Sequence, residues 1–267
     1  MATITASIVN ELRSKTGLGM MECKKMLTET DGDIQKAIDE FRKKNVKTSI
    51  LERATTEGRV ETLTKGNVAV AVEIVCNTDF TAKSDEVLKL AHQAAEVLVA
   101  NPGANVAEDA SIKEALVNAA KVTGENVQIG RTSTVSGNVG SYLYSTSGKG
   151  KIGVLVEFGG AVNEDLVKSL GMHIAAARPV ALTRDQVPAD LVAKEKEIAV
   201  EQAKATGKPQ AIAEKIAEGK LGSFYAERVL LDQEFINGEV FKGKVSELLK
   251  SKGVELKKYV RLEVGQA

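Results

Sequence analysis

The sequence predicts an α+β protein: an N-terminal three-helix module, then a two-part core of repeated β-β-α-α-β units with an antiparallel helical hairpin inserted in the second unit. Three observations carry this reading. Apolar residues alternate from Val68 to Cys76 and then switch to helical spacing at Val87, Ala91, Ala94 and Leu98, so a strand feeds a helix. Sliding Gly66 onto Gly150 lays Val68, Val70, Val72 and Glu73 over Ile152, Val154, Val156 and Glu157, and Leu88, Leu90 and Ala91 over Met172, Ile174 and Ala175. The stretch from Pro188 to Phe224 carries only narrow apolar stripes on two charged helical segments, as expected of helices packed mainly on each other.

The chain of 267 residues has room for one large domain or two to three small ones, and its 43% hydrophobic content is ample for a core. Thirty-six basic residues balance thirty-six acidic ones, which argues against a protein whose work is to neutralise a phosphate backbone. No direct nucleic-acid partner is therefore expected. No apolar run approaches the roughly eighteen residues that a membrane helix needs. The segment Met1 to Ile8 lacks the basic and apolar regions of a signal peptide. Cys23 and Cys76 form neither a CxxC pair nor a disulfide framework. A cytoplasmic protein without a membrane partner is expected.

Residues 1–45 read as the helical module. Thr5 caps a helix carrying Ile8, Val9 and Leu12 that stops at Gly17, and a second helix runs from Met20 to Thr30 with Met21, Lys24/Lys25 and Leu27/Thr28 on successive turns. Asp31-Gly32-Asp33 breaks it and caps a third helix with Ile34, Ala37, Ile38 and Phe41 on its apolar face. So small a core is marginal, and such units exist to present a surface. Met20 and Met21, adjacent at the turn, cannot both face one small core, and Met is common at adaptable binding surfaces.

Residues 46–58 have weak periodicity and read as a linker. A strand at Arg59–Leu63 then turns at Lys65-Gly66-Asn67 into the strand that begins at Val68. The first core half is expected at 59–138, closed by a helix at Ser111–Lys121 and a strand at Asn126–Val135. The second is expected at 139–267, closed by Lys244–Lys252 and Glu255–Val264. The hairpin occupies about 188–226, with apolar positions Leu191, Ile198, Ala199, Ile212, Ile216 and Ala217 and a turn at Thr206-Gly207-Lys208-Pro209.

The strand from Val68 ends at Asn77-Thr78-Asp79, residues that favour turns and helix N-caps, and Asp79 is a candidate cap for the helix that follows. Phe80 is the odd residue there, one of few aromatics and set in a polar strand-to-helix turn. Two readings stand: a staple folded back onto the sheet, or an exposed anchor for a partner. The second unit has Gly159-Gly160-Ala161 in the corresponding place, so the repeated fold does not need Phe80, and this favours the anchor.

A catalytic site should leave titratable residues able to converge. The two histidines, His92 and His173, sit among apolar residues on helices, where a core or interface role outweighs a catalytic one. Neither lies near a Cys or in an HExxH motif, so no metal is expected. Ser147-Gly148-Lys149-Gly150-Lys151 lacks the GxxxxGK[ST] spacing and enters a strand; it reads as a hairpin turn. No cofactor is expected. An enzyme would require a cofactor between the two halves, and a plain adaptor remains a competing reading.

Four motifs occur in order: T-G-L-G-M-M-E-C-K-K (Thr16–Lys25), E-I-V-C-N-T-D-F-T-A-K (Glu73–Lys83), G-M-H-I-A-A-A-R-P (Gly171–Pro179) and L-L-D-Q-E-F-I (Leu230–Ile236). Together they resemble the bacterial elongation factor Ts family, guanine-nucleotide exchange factors for elongation factor Tu, over essentially the whole chain. The resemblance implies an N-terminal module like ubiquitin-associated (UBA) domains and an exchange factor that performs no covalent chemistry. It implies partner contacts at Arg13, Met20 and Met21, at the turn Thr78, Asp79, Phe80 and Thr81, and at His173. A homodimer or a 2:2 complex with the partner is compatible with it. Thr81 stands where the family motif has Val, Glu234 stands where it has Pro, and the chain ends at Ala267 without the further C-terminal helix of some members.

Overall fold

A computed structural model describes residues 4–16, 18–43, 55–160, 163–205 and 209–266. The expected stop at Gly17, most of the linker at 46–58, Ala161 and the hairpin-turn residues Thr206, Gly207 and Lys208 lie outside the described residues.

The N-terminal helices are α1 (Ala6–Thr16), α2 (Met20–Glu29) and α3 (Ile34–Lys43). They close on a core of their own made by Val9, Leu12, Cys23, Met26, Leu27, Ala37 and Phe41. The Ile8 amide donates to Thr5 Oγ1 at 3.4 Å and the Lys36 amide to Asp33 at 3.0 Å, so the expected caps form. Asp31 and Gly32 take left-handed conformations, φ 51° and 84°, which reverse the chain between α2 and α3. The inward face of α2 is Cys23, Met26 and Leu27, not the face through Met21 and Lys24/Lys25, because burying a lysine without a partner costs more than burying a thiol.

Among the described residues the core strands form two three-stranded antiparallel sheets. The first has the order β1 (Glu57–Lys65), β2 (Val68–Cys76), β3 (Gln128–Ser136). Gly66 at φ 57° makes the tight turn into β2 as expected, but β1 starts at Glu57, opposite Cys76, two residues before the expected Arg59. Helices α4 (Asp79–Ala82), α5 (Asp85–Ala100) and α6 (Ala110–Thr123) separate β2 from β3. The second sheet has the order β4 (Asn138–Thr146), β5 (Lys149–Phe158), β6 (Leu256–Glu263). Ser147 and Gly148, φ 51° and 82°, turn β4 into β5. Between β5 and β6 lie α7 (Glu164–Ala177), α8 (Ala189–Lys204), α9 (Gln210–Arg228) and α10 (Val245–Ser251). Each sheet therefore has two consecutive strands, intervening helices and a returning strand beside the second.

Val70, Val72, Ile74 and Cys76 pack on one side of β2 against Val87, Leu90, Ala91, Ala94, Leu98 and Ile112 of α5 and α6. The sequence marks this as the apolar face of β2. Its other face is buried as well: Ala69 and Ala71 meet Val60, Leu155 and Leu262, where the two sheets pack together. Alanines are small enough to let the sheets approach. Gly153 of β5 extends the argument, since a Cβ there would lie 2.6 Å from Val60 Cγ1. On the far side of the second sheet, Ile152, Val154, Val156 and Phe158 pack with Leu166, Leu170, Ile174 and Leu248.

Helices α8 and α9 form the antiparallel hairpin. Its seam is Ala199, Ala203 and Ala217, with Leu191, Val192, Phe224 and Tyr225 packed at its base. Ile198 and Ile212, expected in the stripes, are instead exposed. An alanine seam draws the helices close and leaves the wider isoleucines on the flank.

Candidate functional site

The residues singled out by sequence lie in three places, and the strand-to-helix turn after β2 is the most fully built. As β2 ends, the Glu125 carboxylate accepts hydrogen bonds from the Asn77 amide at 3.1 Å, the Thr78 amide at 3.0 Å and the Thr78 hydroxyl at 2.6 Å. The Asn126 amide donates to Asn77 Oδ1 at 2.8 Å, so the exit of the strand is tied to the loop after α6 from both sides. Thr78 then caps the single turn of α4, its Oγ1 accepting from the Thr81 amide at 3.2 Å. Ser84 ends that turn by donating to the Thr81 carbonyl at 2.8 Å, and its oxygen caps α5.

This bracing sorts the side chains of α4. Thr81 and Ala82 turn inward and are buried, and Arg59 Nη1 beneath them donates to the Ala82 carbonyl at 3.3 Å. Phe80 turns outward and is 87% exposed. The staple reading of Phe80 is therefore overturned. Asp79 does not cap the following helix; its carboxylate is engaged by Lys83 and by Lys149, whose Nζ also lies 3.0 Å from Glu57 Oε2. Hydrogen bonds from Lys149 and Lys83 hold the Asp79 carboxyl down at about 2. A short polar turn rigid on its inner side thus displays one bare aromatic ring. Such a ring loses little side-chain freedom on contact and carries a large apolar area.

The second place is the start of α2. Met20 is 51% and Met21 76% exposed, and Arg13 on α1 is exposed too. Gly19, which leads into α2, offers no side chain to cap it.

His173 occupies the third place, and the structure does not bring it to the surface. Its ring is fully buried in α7, stacked on Phe235 with centroids 5.3 Å apart. The Ile236 amide donates to Nδ1 at 3.1 Å, which leaves Nε2 to donate to Gln233 Oε1 at 3.0 Å. Gln233 is fixed in turn by its own donations to the carbonyls of Ala177 and Glu227. Burial pushes the His173 pKa down, so the ring is neutral. The structure thus places His173 and Thr81, both expected as partner contacts, beneath the surface. Met172 and Ile236, its neighbours, are the exposed apolar side chains here. His92, by contrast, is exposed on α5, 3.7 Å from the Glu96 carboxylate.

Among the described residues, no group of three or more His, Cys, Asp or Glu is placed to hold a metal ion, and no helix is long and apolar enough to cross a membrane. Sequence reasoning missed Lys149, Glu125, Arg59 and Glu57, all of which support the turn. Lys149 stands inside a run that reads as a hairpin turn, and its partners Glu57 and Asp79 lie 92 and 70 residues away in the chain.

A family model described as Elongation factor TS matches residues 77–266. The chain is 42% identical to the elongation factor Ts of Pasteurella multocida (strain Pm70), over 100% of this chain and 93% of that protein. It is 40% identical to that of Psychrobacter sp. (strain PRwf-1), over 100% and 92%, and 39% identical to that of Methylococcus capsulatus, over 99% and 93%. Together, a family match across most of the chain and relatives matched over more than nine-tenths of their length show that the chain belongs to the elongation factor Ts family.

Proposed function

We propose that the protein binds elongation factor Tu carrying GDP and promotes GDP release by disturbing the partner's magnesium and phosphate site, after which GTP rebinds. The observation that supports this is Phe80, bare on a turn whose neighbours are all bonded. A P-loop GTPase holds its nucleotide with loop amides, a lysine and a bridging magnesium. A factor speeds nucleotide loss only by binding the nucleotide-free partner better than the loaded one, and the coupling is reciprocal. An aromatic wedge on a rigid base suits that task, because it can displace the element beside the metal without itself giving way. Asp79 serves as a strut in this reading and Phe80 as the wedge. Met20, Met21 and Arg13 form a second contact, while Thr81 and His173 hold surfaces in shape.

In the same reading, residues 1–45 are a UBA-like tether joined by a linker at 46–58 to two copies of one unit, 59–138 and 139–267, related by a pseudo-twofold axis. The protein works in the cytoplasm without touching nucleic acid or membrane and makes or breaks no covalent bond of its own. Light scattering of the complex separates a single pair from a 2:2 assembly. The main test is direct: a substoichiometric amount of the protein should accelerate loss of labelled GDP from elongation factor Tu and hydrolyse no GTP by itself. An unchanged release rate overturns the proposal.

A further inference from the structure

We infer that Lys149, the first residue of β5, is a positioning residue for nucleotide exchange: it fastens the Phe80 turn, which grows from the first sheet, to the second sheet. This deepens the functional reading above and rests on it for the role of Phe80.

The backbone brings Lys149 to the turn. Ser147 and Gly148 reverse the chain with positive φ, and Gly150 presses against β1 so closely that a Cβ there would run into the Val60 carbonyl. The end of the β4–β5 hairpin is thereby clamped onto the first sheet. Between these two points the Lys149 side chain, only 10% exposed, meets two carboxylates. One is Glu57 at the start of β1, 3.0 Å from Nζ, and the other is Asp79 at the start of α4. Both carboxylates belong to the first sheet and its helices; the ammonium belongs to the second.

A nearly buried ammonium requires such partners, because withdrawing its charge from water is costly unless it is paired. The need runs in both directions. Glu125 and Arg59 brace the inner side of the turn, but its outer corner, Asp79-Phe80, is held by Lys83 and Lys149 alone among the described ion pairs. The Lys83 contact is a surface pair four residues along the chain, a class that contributes little. The Lys149 contact is shielded from water on the lysine side, so it sets where the corner sits. Packing alone does not require a charge here, since a methionine has the same reach and fills the same space.

The sequence contains no Trp, so F80W supplies a single indole whose fluorescence anisotropy reports the order of the turn in the free protein. Adding K149M to F80W should lower that anisotropy while the melting midpoint stays close to that of F80W. In the Phe80 background, K149M should slow GDP release from elongation factor Tu by about ten-fold, as displacements of a positioned group do. K149R, which keeps the charge, should restore both. E57Q leaves the Asp79 contact in place and should keep the anisotropy high.

If the anisotropy with K149M equals that of F80W alone, the inference is overturned. It is overturned equally if the anisotropy falls while release stays fast in a protein that F80A inactivates. Should F80A exchange normally, the functional reading fails, and the anisotropy still decides whether Lys149 holds the turn. Where K149M does not fold, D79A removes the same contact from α4: lowered anisotropy supports the inference and unchanged anisotropy overturns it.

Discussion

Arg131 grips Glu73 with two nitrogens at once, Nε to one carboxylate oxygen at 2.8 Å and Nη2 to the other at 3.0 Å, while Nη2 also donates to the Glu263 carbonyl at 2.5 Å. Glu73 is buried on β2 where the pairing with β3 shifts register, and Gly130 makes room, since a Cβ there would lie 2.9 Å from the carboxylate. The pair therefore joins β2, β3 and the end of β6 across both sheets. R131M would strand a buried carboxylate and should destabilise the fold by about 3 kcal/mol, read from urea unfolding. R131K keeps the charge but not the planar fork and should recover only part of the loss. An R131M midpoint equal to the parent's would contradict this account.

F80A should slow exchange about thirty-fold, the equivalent of roughly 2 kcal/mol for a central aromatic anchor, and leave the melting midpoint where it was. A buried phenylalanine would behave oppositely, losing roughly 3–5 kcal/mol of stability. The exposed ring of Phe80 excludes the second pattern, so the pair of measurements tests the proposed contact with the partner.

Deleting residues 1–50 should leave a core that melts cooperatively yet dissociates faster from elongation factor Tu. The helical module closes on its own apolar cluster, which shares no residue with the clusters of the two sheets. Combining M20A with M21A should reproduce part of that effect in the dissociation rate, where interface changes mostly register. A truncated protein that unfolds without cooperativity would make the module structural.

Stability should fall as the pH drops from 7 to 5, in part through His173. Its folded pKa is lowered by burial, so the unfolded chain takes up the proton first. The neutral ring contributes in full above its ordinary pKa near 6.5, and that contribution is lost as the pH falls through 6.5 toward the lowered folded value. Protonated Nδ1 would face the Ile236 amide, a donor against a donor. H173Q should be less stable at pH 7 and show a flatter profile between pH 7 and 5. A slope identical to the parent's would remove His173 from the explanation.

Much of the fold is legible because it rests on local chemistry. The alternation of β2, the turns at Gly66 and Ser147-Gly148, the Asp33 cap and the hairpin all follow from short-range pattern, and so does the unusual placing of Phe80. The supports of the site are not legible in that way. Lys149 and Asp79 are 70 residues apart, and Glu125 lies 47 from Thr78; such contacts leave no period in the sequence. Thr81 and His173 belong to the motifs yet face inward, because membership of a motif does not say which way a side chain points. Ile198 and Ile212 mislead for a related reason: apolar spacing marks a face, but the distance between helices is set by the smallest residues in the seam.

Strand β2 lies between two partners and is covered on both faces, so its amides can meet solvent only when the sheets part. In deuterated buffer they should be among the last to exchange, at free energies near that of global unfolding. The Phe80 turn begins two residues beyond this strand. On the proposed reading, the tip that meets the partner is thus rooted in a segment that should open late, so force applied to Phe80 should reach the partner instead of being absorbed by local unfolding.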